Sequence, residues 1–327
     1  MKRRTLGYNG PQITECGLGC WQLGGGWGHP WDDRIAQEIL ETSYQLGIRF
    51  FDTADVYGDG NSESEASIGS FIKKRADPFV ATKLGRKGIY PDGYSRQSLL
   101  DATKESLGRL GVEKLNLTQL HCVPPEVLRE GKVFDWLREQ QEMGLIERFG
   151  ASVETVEEGL ICLEQEGLAS LQIIFNIFRQ KPLKELLPKA YEKGVGIIVR
   201  LPLASGLLSG KMKPDTTFRE GDHRNFNRDG EVFNVGETFA GLPFNKGVAL
   251  AEELKSMVPE GMTVAQMALR WILDHKEVTT VIPGASSKLQ AQQNAAVSQM
   301  PPLSKALHAH LADFYEQNVH NHIRGGY

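Results

Sequence analysis

The chain has 327 residues, 24% of them charged, and a formal net charge of -4. This length admits one large or two ordinary domains, and the mildly acidic balance excludes the basic stripe of a nucleic-acid-binding surface. No stretch reaches the ~18 apolar residues of a spanning helix, and the basic start Met1-Lys2-Arg3-Arg4 is not followed by an apolar signal core, so a cytoplasmic protein without membrane partners is expected.

The predicted elements follow in chain order. Asn9-Gly10 between polar flanks predicts a hairpin turn. A strand over 15–20 is followed by a helix over 33–46, and the alternation then repeats. Strands fall at 48–53, 79–82, 115–120, 146–151, 171–174, 196–200 and 279–282. Helices fall at 62–74, 95–110, 132–143, 155–166, 183–193, 263–274 and 288–297, and an extra helix at 304–318. Ser62 before Glu63 and Glu65 reads as a helix N-cap, and Gly144 as a helix C-cap. The break at 211–245 carries neither period and holds Pro214, Gly221, Gly230 and Gly241. Loops of that length in compact domains are usually functional. Strict alternation of strand and helix implies a parallel sheet with right-handed crossovers. Eight units fit a (β/α)8 barrel of ~250 residues with an N-terminal β-hairpin and an extra C-terminal helix, so 1–327 reads as a single domain. An open doubly wound sheet would carry a Gly-rich phosphate turn after its first strand, and Gly17-Leu18-Gly19-Cys20-Trp21 has the wrong spacing for one.

Chemistry collects at the strand ends. The second strand ends in Asp52 with Tyr57 five residues on, the third runs into Lys83, and the fourth into His121. In a parallel barrel these ends converge at one mouth, where such enzymes place their catalytic groups. Tyr57 is a phenol and a proton donor at neutral pH. A nearby Lys83 ammonium favours phenolate and lowers its pKa, Asp52 neutralises Lys83, and His121 orients a carbonyl oxygen. Together these groups suit carbonyl reduction. Cys16, Cys20, Cys122 and Cys162 lack zinc-ligand spacing. His308, His310, His320 and His322 lack accompanying acids or thiols and read as a solvated helix and tail, so no metal is expected.

The ordered motifs Phe-Asp-Thr-Ala-x-x-Tyr-Gly at 51–58, Thr-Lys at 82–83, Leu-His at 120–121, Gly-Ala-Ser at 150–152, the run at 202–211 and Ile-Pro-Gly-Ala-Ser-Ser at 282–287 resemble the aldo-keto reductases. The run Gly206-Leu207-Leu208-Ser209-Gly210-Lys211 and the long loop look like the branch holding bacterial oxidoreductases and potassium-channel β subunits. The resemblance implies an NAD(P)H-dependent enzyme that reduces aldehydes or ketones, or oxidises sugar or polyol hydroxyls in reverse. Tyr57 is then the acid, Lys83 and Asp52 tune it, and His121 polarises the substrate. It further implies Cys20 and Trp21 beside the nicotinamide, Ser152 and Gln172 on its carboxamide, and Arg200 stacked where an aromatic ring is usual. Pro202, Leu203, Ser205, Gly206, Ser209 and Lys211 match the pyrophosphate segment. Gly284, Ser286, Gln290, Gln293 and Asn294 match the adenosine site. Trp21, Tyr57 and His121 would face the substrate, with Trp27, Trp31 and Tyr90 as further wall candidates.

The chain departs from the family pattern at three places. Arg200 adds charge beside the substrate, Ser287 stands where many members carry an Arg for the ribose phosphate, and Gln293 stands where a carboxylate often meets adenine. NADP(H) is still favoured over NAD(H), with Lys211, Ser286, Arg219 or Arg224 supplying the phosphate contact. An alternative role is a nicotinamide-binding regulatory protein like the channel β subunits.

Overall fold

The computed structural model describes residues 1–25 and 30–327, so Trp27 lies outside the described residues. Two short strands, β1 (Arg3–Thr5) and β2 (Gln12–Thr14), form an antiparallel hairpin. Eight strands follow: β3 (Leu18–Gly19), β4 (Phe50–Asp52), β5 (Phe79–Leu84), β6 (Leu117–His121), β7 (Phe149–Ser152), β8 (Leu168–Ile174), β9 (Gly196–Arg200) and β10 (Val278–Val281). They pair in parallel in sequence order. Parallel bridges from Cys16 to Val281 and from Gly19 to Gly284 join the last strand to the first, so the sheet is a nearly closed (β/α)8 barrel.

The outer layer is α1 (Asp33–Gln45), α2 (Glu63–Ile72), α3 (Arg96–Leu110), α4 (Pro125–Glu130), α5 (Lys132–Glu142), α6 (Val156–Cys162), α7 (Leu186–Glu192), the short α8 (His223–Phe226), α9 (Phe244–Leu254), α10 (Val264–Leu273), α11 (Lys288–Ala296) and α12 (Lys305–Phe314). Capping boxes start three of them: Ser95 with Ser98 at α3, Thr155 with Glu158 at α6, and Thr263 with Gln266 at α10. Each satisfies orphan backbone donors reciprocally. Gly144, at φ 77°, follows α5 as expected. Ser62 does not cap α2. It sits in the left-handed region at φ 59°, and its hydroxyl donates to the carbonyl of Asp55 instead.

Side chains alternate in direction along a strand, and this splits each barrel strand into an inner and an outer face. Phe50, Ala81, Leu117, Ile198 and Ile282 pack together with Leu6 and Ile13 of the hairpin. The hairpin therefore plugs the lower barrel with apolar side chains. Two residues further along the same inner faces come Asp52, Lys83, Gln119 and Arg200. The outer faces, including Phe51, Leu84, Leu120, Leu171 and Val199, join the helix-facing core. The apolar plug and the polar mouth are consecutive layers of one interior.

The segment 211–245 is more ordered than its irregular pattern predicts. It contains α8 and two 3-10 turns, Val235–Glu237 and Phe239–Gly241, and α9 begins before its end. Asp222, His223, Asn227, Glu237, Thr238, Phe239 and Ala240 are buried.

Candidate active site

Asp52, Lys83 and His121 reach the mouth from β4, β5 and β6, and Tyr57 from the turn that leaves β4. That turn is tightly placed. A Cβ at Gly24 would come within 2.7 Å of the Tyr57 carbonyl oxygen, so a bare backbone lets the first loop approach it. Trp21 of this loop stacks on Tyr57, with ring centroids 5.6 Å apart and planes 15° from parallel. His121 meets the same phenol edge-on at 5.7 Å.

Lys83 is fully buried and spends its ammonium on three acceptors: Asp52 Oδ1 at 2.5 Å, the Thr53 carbonyl at 2.8 Å and Tyr57 OH at 3.1 Å. An ammonium has three donors and no acceptor. Tyr57 oxygen therefore accepts from Lys83 and keeps its own proton for another partner. The second Asp52 oxygen accepts from Gln172 Nε2 at 2.7 Å and Gln119 Nε2 at 3.3 Å. Burial acts first on Tyr57 and pushes its pKa up, and Asp52 adds to this. The Lys83 charge pulls the other way without overcoming it. The expected lowering by Lys83 is present, but desolvation outweighs it, and the phenol stays protonated at neutral pH. For Lys83, burial opposes charge, yet Asp52 and Tyr57 hold its pKa above the usual lysine range. Burial, then Arg86, Lys83 and Arg200, drive His121 well below the ordinary histidine pKa. His121 is thus a neutral imidazole, and its Nδ1 has no hydrogen-bond partner among the described residues.

The other expected site residues divide into three groups. Cys20, Trp21, Ser152, Gln172 and Arg200 stand at strand ends around the mouth. Ser152 is in register with His121 on one side and Gln172 on the other. The amide nitrogen of Gln172 is held by Asp52, so this residue is tied to the proton-donor network. Arg200, the residue expected to stack on the nicotinamide, is already paired within the protein. Its guanidinium meets Glu237 Oε1 at 3.2 Å and the Val153 carbonyl at 3.2 Å, because the long loop carries a carboxylate into the mouth. Its Nε remains buried and without a partner among the described residues.

The second group follows β9. Pro202 and Leu203 lead into the turn Ala204–Ser209. Leu201, Ala204, Ser205 and Gly206 all have positive φ, with Gly206 at 100°. A side chain at Gly206 would be strained, and its Cβ would lie 2.7 Å from Met212 Cε. The turn therefore exposes backbone, as phosphate-binding concavities do. Ser205 Oγ donates to the Glu237 carbonyl at 3.0 Å and accepts from Phe239 N–H at 3.1 Å, so it staples the loop. Ser209 Oγ bonds the Gly206 carbonyl at 2.6 Å, and Lys211 is exposed.

The third group follows β10. Gly284 pairs with Gly19, and Ser286, Gln290 and Gln293 are exposed near the start of α11. Ser286 donates both N–H and hydroxyl to Gln290 Oε1, at 2.7 and 3.0 Å. Asn294 is buried and donates to the Gly284 carbonyl at 3.1 Å. Ser287 caps α11 by accepting from Gln290 N–H. Trp31 and Tyr90 are exposed, and Trp31 Nε1 donates to Ser67 Oγ at 3.2 Å. His308 is spent on Asp274 at 3.0 Å.

Four residues of the mouth escaped the sequence reading. Arg86 Nη2 lies 3.1 Å from Glu154 Oε1 and 3.6 Å from Glu237 Oε1. With Arg200 these make a partly buried cluster of two guanidiniums and two carboxylates, and Cys122 adjoins Glu237 at 3.9 Å. Gln119, under Asp52, is the fourth omission together with Arg86, Glu154 and Glu237. One signal existed for it: Gln119 is an amide two residues before His121 in an otherwise apolar strand, hence on the same inner face. No helix among the described residues is long and apolar enough to cross a membrane.

The profile of the Aldo/keto reductase family matches residues 15–316. The chain is 28% identical to a probable voltage-gated potassium channel subunit beta of Arabidopsis thaliana, covering 93% of each chain. It is 27% identical to the uncharacterized oxidoreductase YqkF of Bacillus subtilis, covering 95% of this chain and 96% of that one. Among solved structures, the glycerol dehydrogenase AKR11B4 from Gluconobacter oxydans superposes with a TM-score of 0.79 at 27% identity, over 99% of this chain and 98% of that one. The holo form of the aldo-keto reductase AKR11C1 from Bacillus halodurans gives 0.75 at 27% identity, over 97% and 99%. A family profile spanning most of the chain, on a barrel whose mouth gathers Asp52, Tyr57, Lys83 and His121, establishes that this chain belongs to the aldo/keto reductase family of oxidoreductases.

Proposed function

We propose that this protein reduces an aldehyde or ketone to the alcohol, or runs the reverse oxidation of a sugar or polyol hydroxyl, with Tyr57 as general acid. The observation that carries this reading is the pairing of Lys83 with Tyr57. The phenol accepts from an ammonium whose three donors are all engaged, and its proton is left for a substrate oxygen. Burial keeps that proton in place at neutral pH. As negative charge develops on the carbonyl oxygen, Tyr57 gives up the proton and Lys83 stabilises the phenolate that forms. Neutral His121 donates to the same oxygen and orients it. Asp52, held by Gln172 and Gln119, keeps Lys83 charged and fixed. Preorganised groups of this kind act where charge develops in the transition state.

A reduced nicotinamide, when bound, supplies the hydride. The residues suit such a cofactor. The bare backbone at Gly206, exposed Lys211 and the N-terminus of α11 suit phosphates; Trp21 stacks on Tyr57 and Ser152 ends β7 beside His121. We propose NADP(H) over NAD(H), with Lys211, Ser286, Arg219 or Arg224 meeting the extra phosphate. We also propose that the whole chain acts as one domain in the cytoplasm on a small molecule, without nucleic-acid or membrane partners. The test is substrate-dependent loss of reduced-cofactor absorbance across aldehydes, ketoses and quinones, and the reverse assay on polyols. Turnover of none of these by the purified protein overturns the reading.

One observation favours a second reading. Relatives from Arabidopsis thaliana and Oryza sativa, 28% and 27% identical, are named probable potassium channel β subunits. Cofactor binding without turnover would support a regulatory role.

A further inference from the structure

The charges at the mouth exceed what the network of Asp52, Tyr57, Lys83 and His121 requires. Arg86 comes from the turn after β5, Cys122 from the end of β6, Glu154 from the turn after β7 and Arg200 from the end of β9. Glu237 alone comes from the long loop. Its Oε1 lies 3.2 Å from Arg200 Nη1, 3.6 Å from Arg86 Nη2 and 3.9 Å from Cys122 Sγ. Its side chain is 7% exposed.

We propose that Glu237 is a positioning residue of the reductase site: seated between Arg86 and Arg200 and beside Glu154, it docks the long loop onto the barrel mouth and holds both guanidiniums beside Tyr57 and His121. Three further contacts belong to the same docked state. Ser205 Oγ bonds the Glu237 carbonyl and the Phe239 N–H. Asn234 of the loop shapes the turn that carries Glu237, its Oδ1 accepting from Gly236 N–H at 2.7 Å. His223 of α8 packs its ring on Trp21 at 5.4 Å, and Trp21 stacks on Tyr57. The loop thus touches the proton donor through one aromatic ring and its electrostatic surroundings through one carboxylate.

Docking of this kind is proton-linked. Carboxylate oxygens of Glu154 and Glu237 lie within 4.8 Å of one another, and each negative charge disfavours ionisation of the other. Burial, then Glu237, raises the Glu154 pKa to about 7, against the pull of Arg200 and Arg86. Glu237 is held below the ordinary carboxylate range by Arg200 and Arg86 despite its burial. Tyr57, Cys122, His223 and Arg179 also face the pair. In the undocked loop Glu154 regains water and an ordinary pKa near ~4.3. The docked state therefore binds the proton more tightly. Its advantage is complete below the ordinary value and is lost as pH rises through about 7.

The test is hydrogen exchange of the protein without cofactor, corrected for intrinsic rates, at pH 5.5 and 8.0. We expect segment 211–243 to be protected more at the lower pH, by about tenfold, the change that one pKa unit carries. Glu237→Gln should lose that protection at both pH values while β5 and β6 stay protected, which shows the barrel folded. Glu237→Asp should recover part of it. Glu154→Gln, a neutral stand-in for protonated Glu154, should keep the loop protected at both pH values and abolish the dependence. Parent-like loop protection in Glu237→Gln, or a parent-like pH trend in Glu154→Gln, overturns the proposal. The role at the reductase site rests on the function proposed above and has its own measurement. Release of reduced cofactor, followed by stopped-flow fluorescence, should quicken about tenfold in Glu237→Gln, again the equivalent of one pKa unit, and stay unchanged in Tyr57→Phe. Unchanged release in Glu237→Gln overturns the positioning role. Because the exchange measurement uses neither cofactor nor substrate, failure of the reductase reading leaves it standing.

Discussion

Tyr57 sits between opposing influences, burial that raises its pKa and a lysine 3.1 Å away that lowers it. Removing the lysine leaves burial and the Asp52 charge unopposed. Lys83→Met should therefore move the alkaline limb of the pH profile upward or abolish it, together with activity. It also leaves Asp52 buried without its ammonium, a change that costs about 3–5 kcal/mol when a buried pair is broken, to be read by urea unfolding. Activity lost with an unmoved alkaline limb would make Lys83 structural only. His121 gives a second pH prediction. Its pKa is driven well down in the folded state, so the unfolded chain binds a proton near ~6.5 that the folded chain refuses. Stability should fall as pH drops below that value, and His121→Gln should reduce the fall; equal acid sensitivity in both proteins would contradict it. Asp52, Tyr57, Lys83 and His121 were legible because each ends a short apolar run. Glu154 and Glu237 were not, because their pairing joins a strand end to a loop residue 83 positions on, and no local pattern encodes that.

At the scale of elements, the alternation of strands and helices was legible because each strand carries an apolar core and each helix an apolar stripe. The ends shifted by a few residues. β3 is shorter than 15–20 suggested, since only part of that run pairs in register with β4. α9 was hidden because Phe244–Leu254 follows directly on the irregular segment. That segment read as weakly packed because its glycines dominate the pattern. Its anchors are single side chains: Glu237, Phe239 and Asn227, whose amide donates to Thr238 Oγ1 at 3.0 Å. Arg324 of the C-terminal tail adds an anchor, donating to the Gly241 carbonyl at 3.0 Å and pairing with Asp229. Cofactor should protect loop amides further while β-strand amides barely change, because ordering on binding excludes water from the mouth. Arg200→Ala should weaken cofactor affinity more than it lowers folding stability. Unchanged affinity, by fluorescence titration, would remove Arg200 from the cofactor site.

Across the whole molecule, the barrel separates stability from chemistry. The hairpin seals one end with Leu6 and Ile13, and the strand ends carry the polar site at the other. Leu6→Ala should cost about 2–5 kcal/mol, as for other buried leucines, with kcat and KM little changed; a large kcat loss at normal stability would contradict this division. The cofactor preference is a property of several loops together: 201–211 after β9, the long loop, and the start of α11. NADPH should bind more tightly than NADH without an Arg at 287, and equal or tighter NADH binding would remove that preference. The central claim is proton donation by Tyr57, and steady-state carbonyl reduction by Tyr57→Phe beside the parent tests it most directly. The account predicts near-parent cofactor affinity and turnover lowered by about 10²–10⁴, whereas parent-like turnover of the same substrate would contradict it.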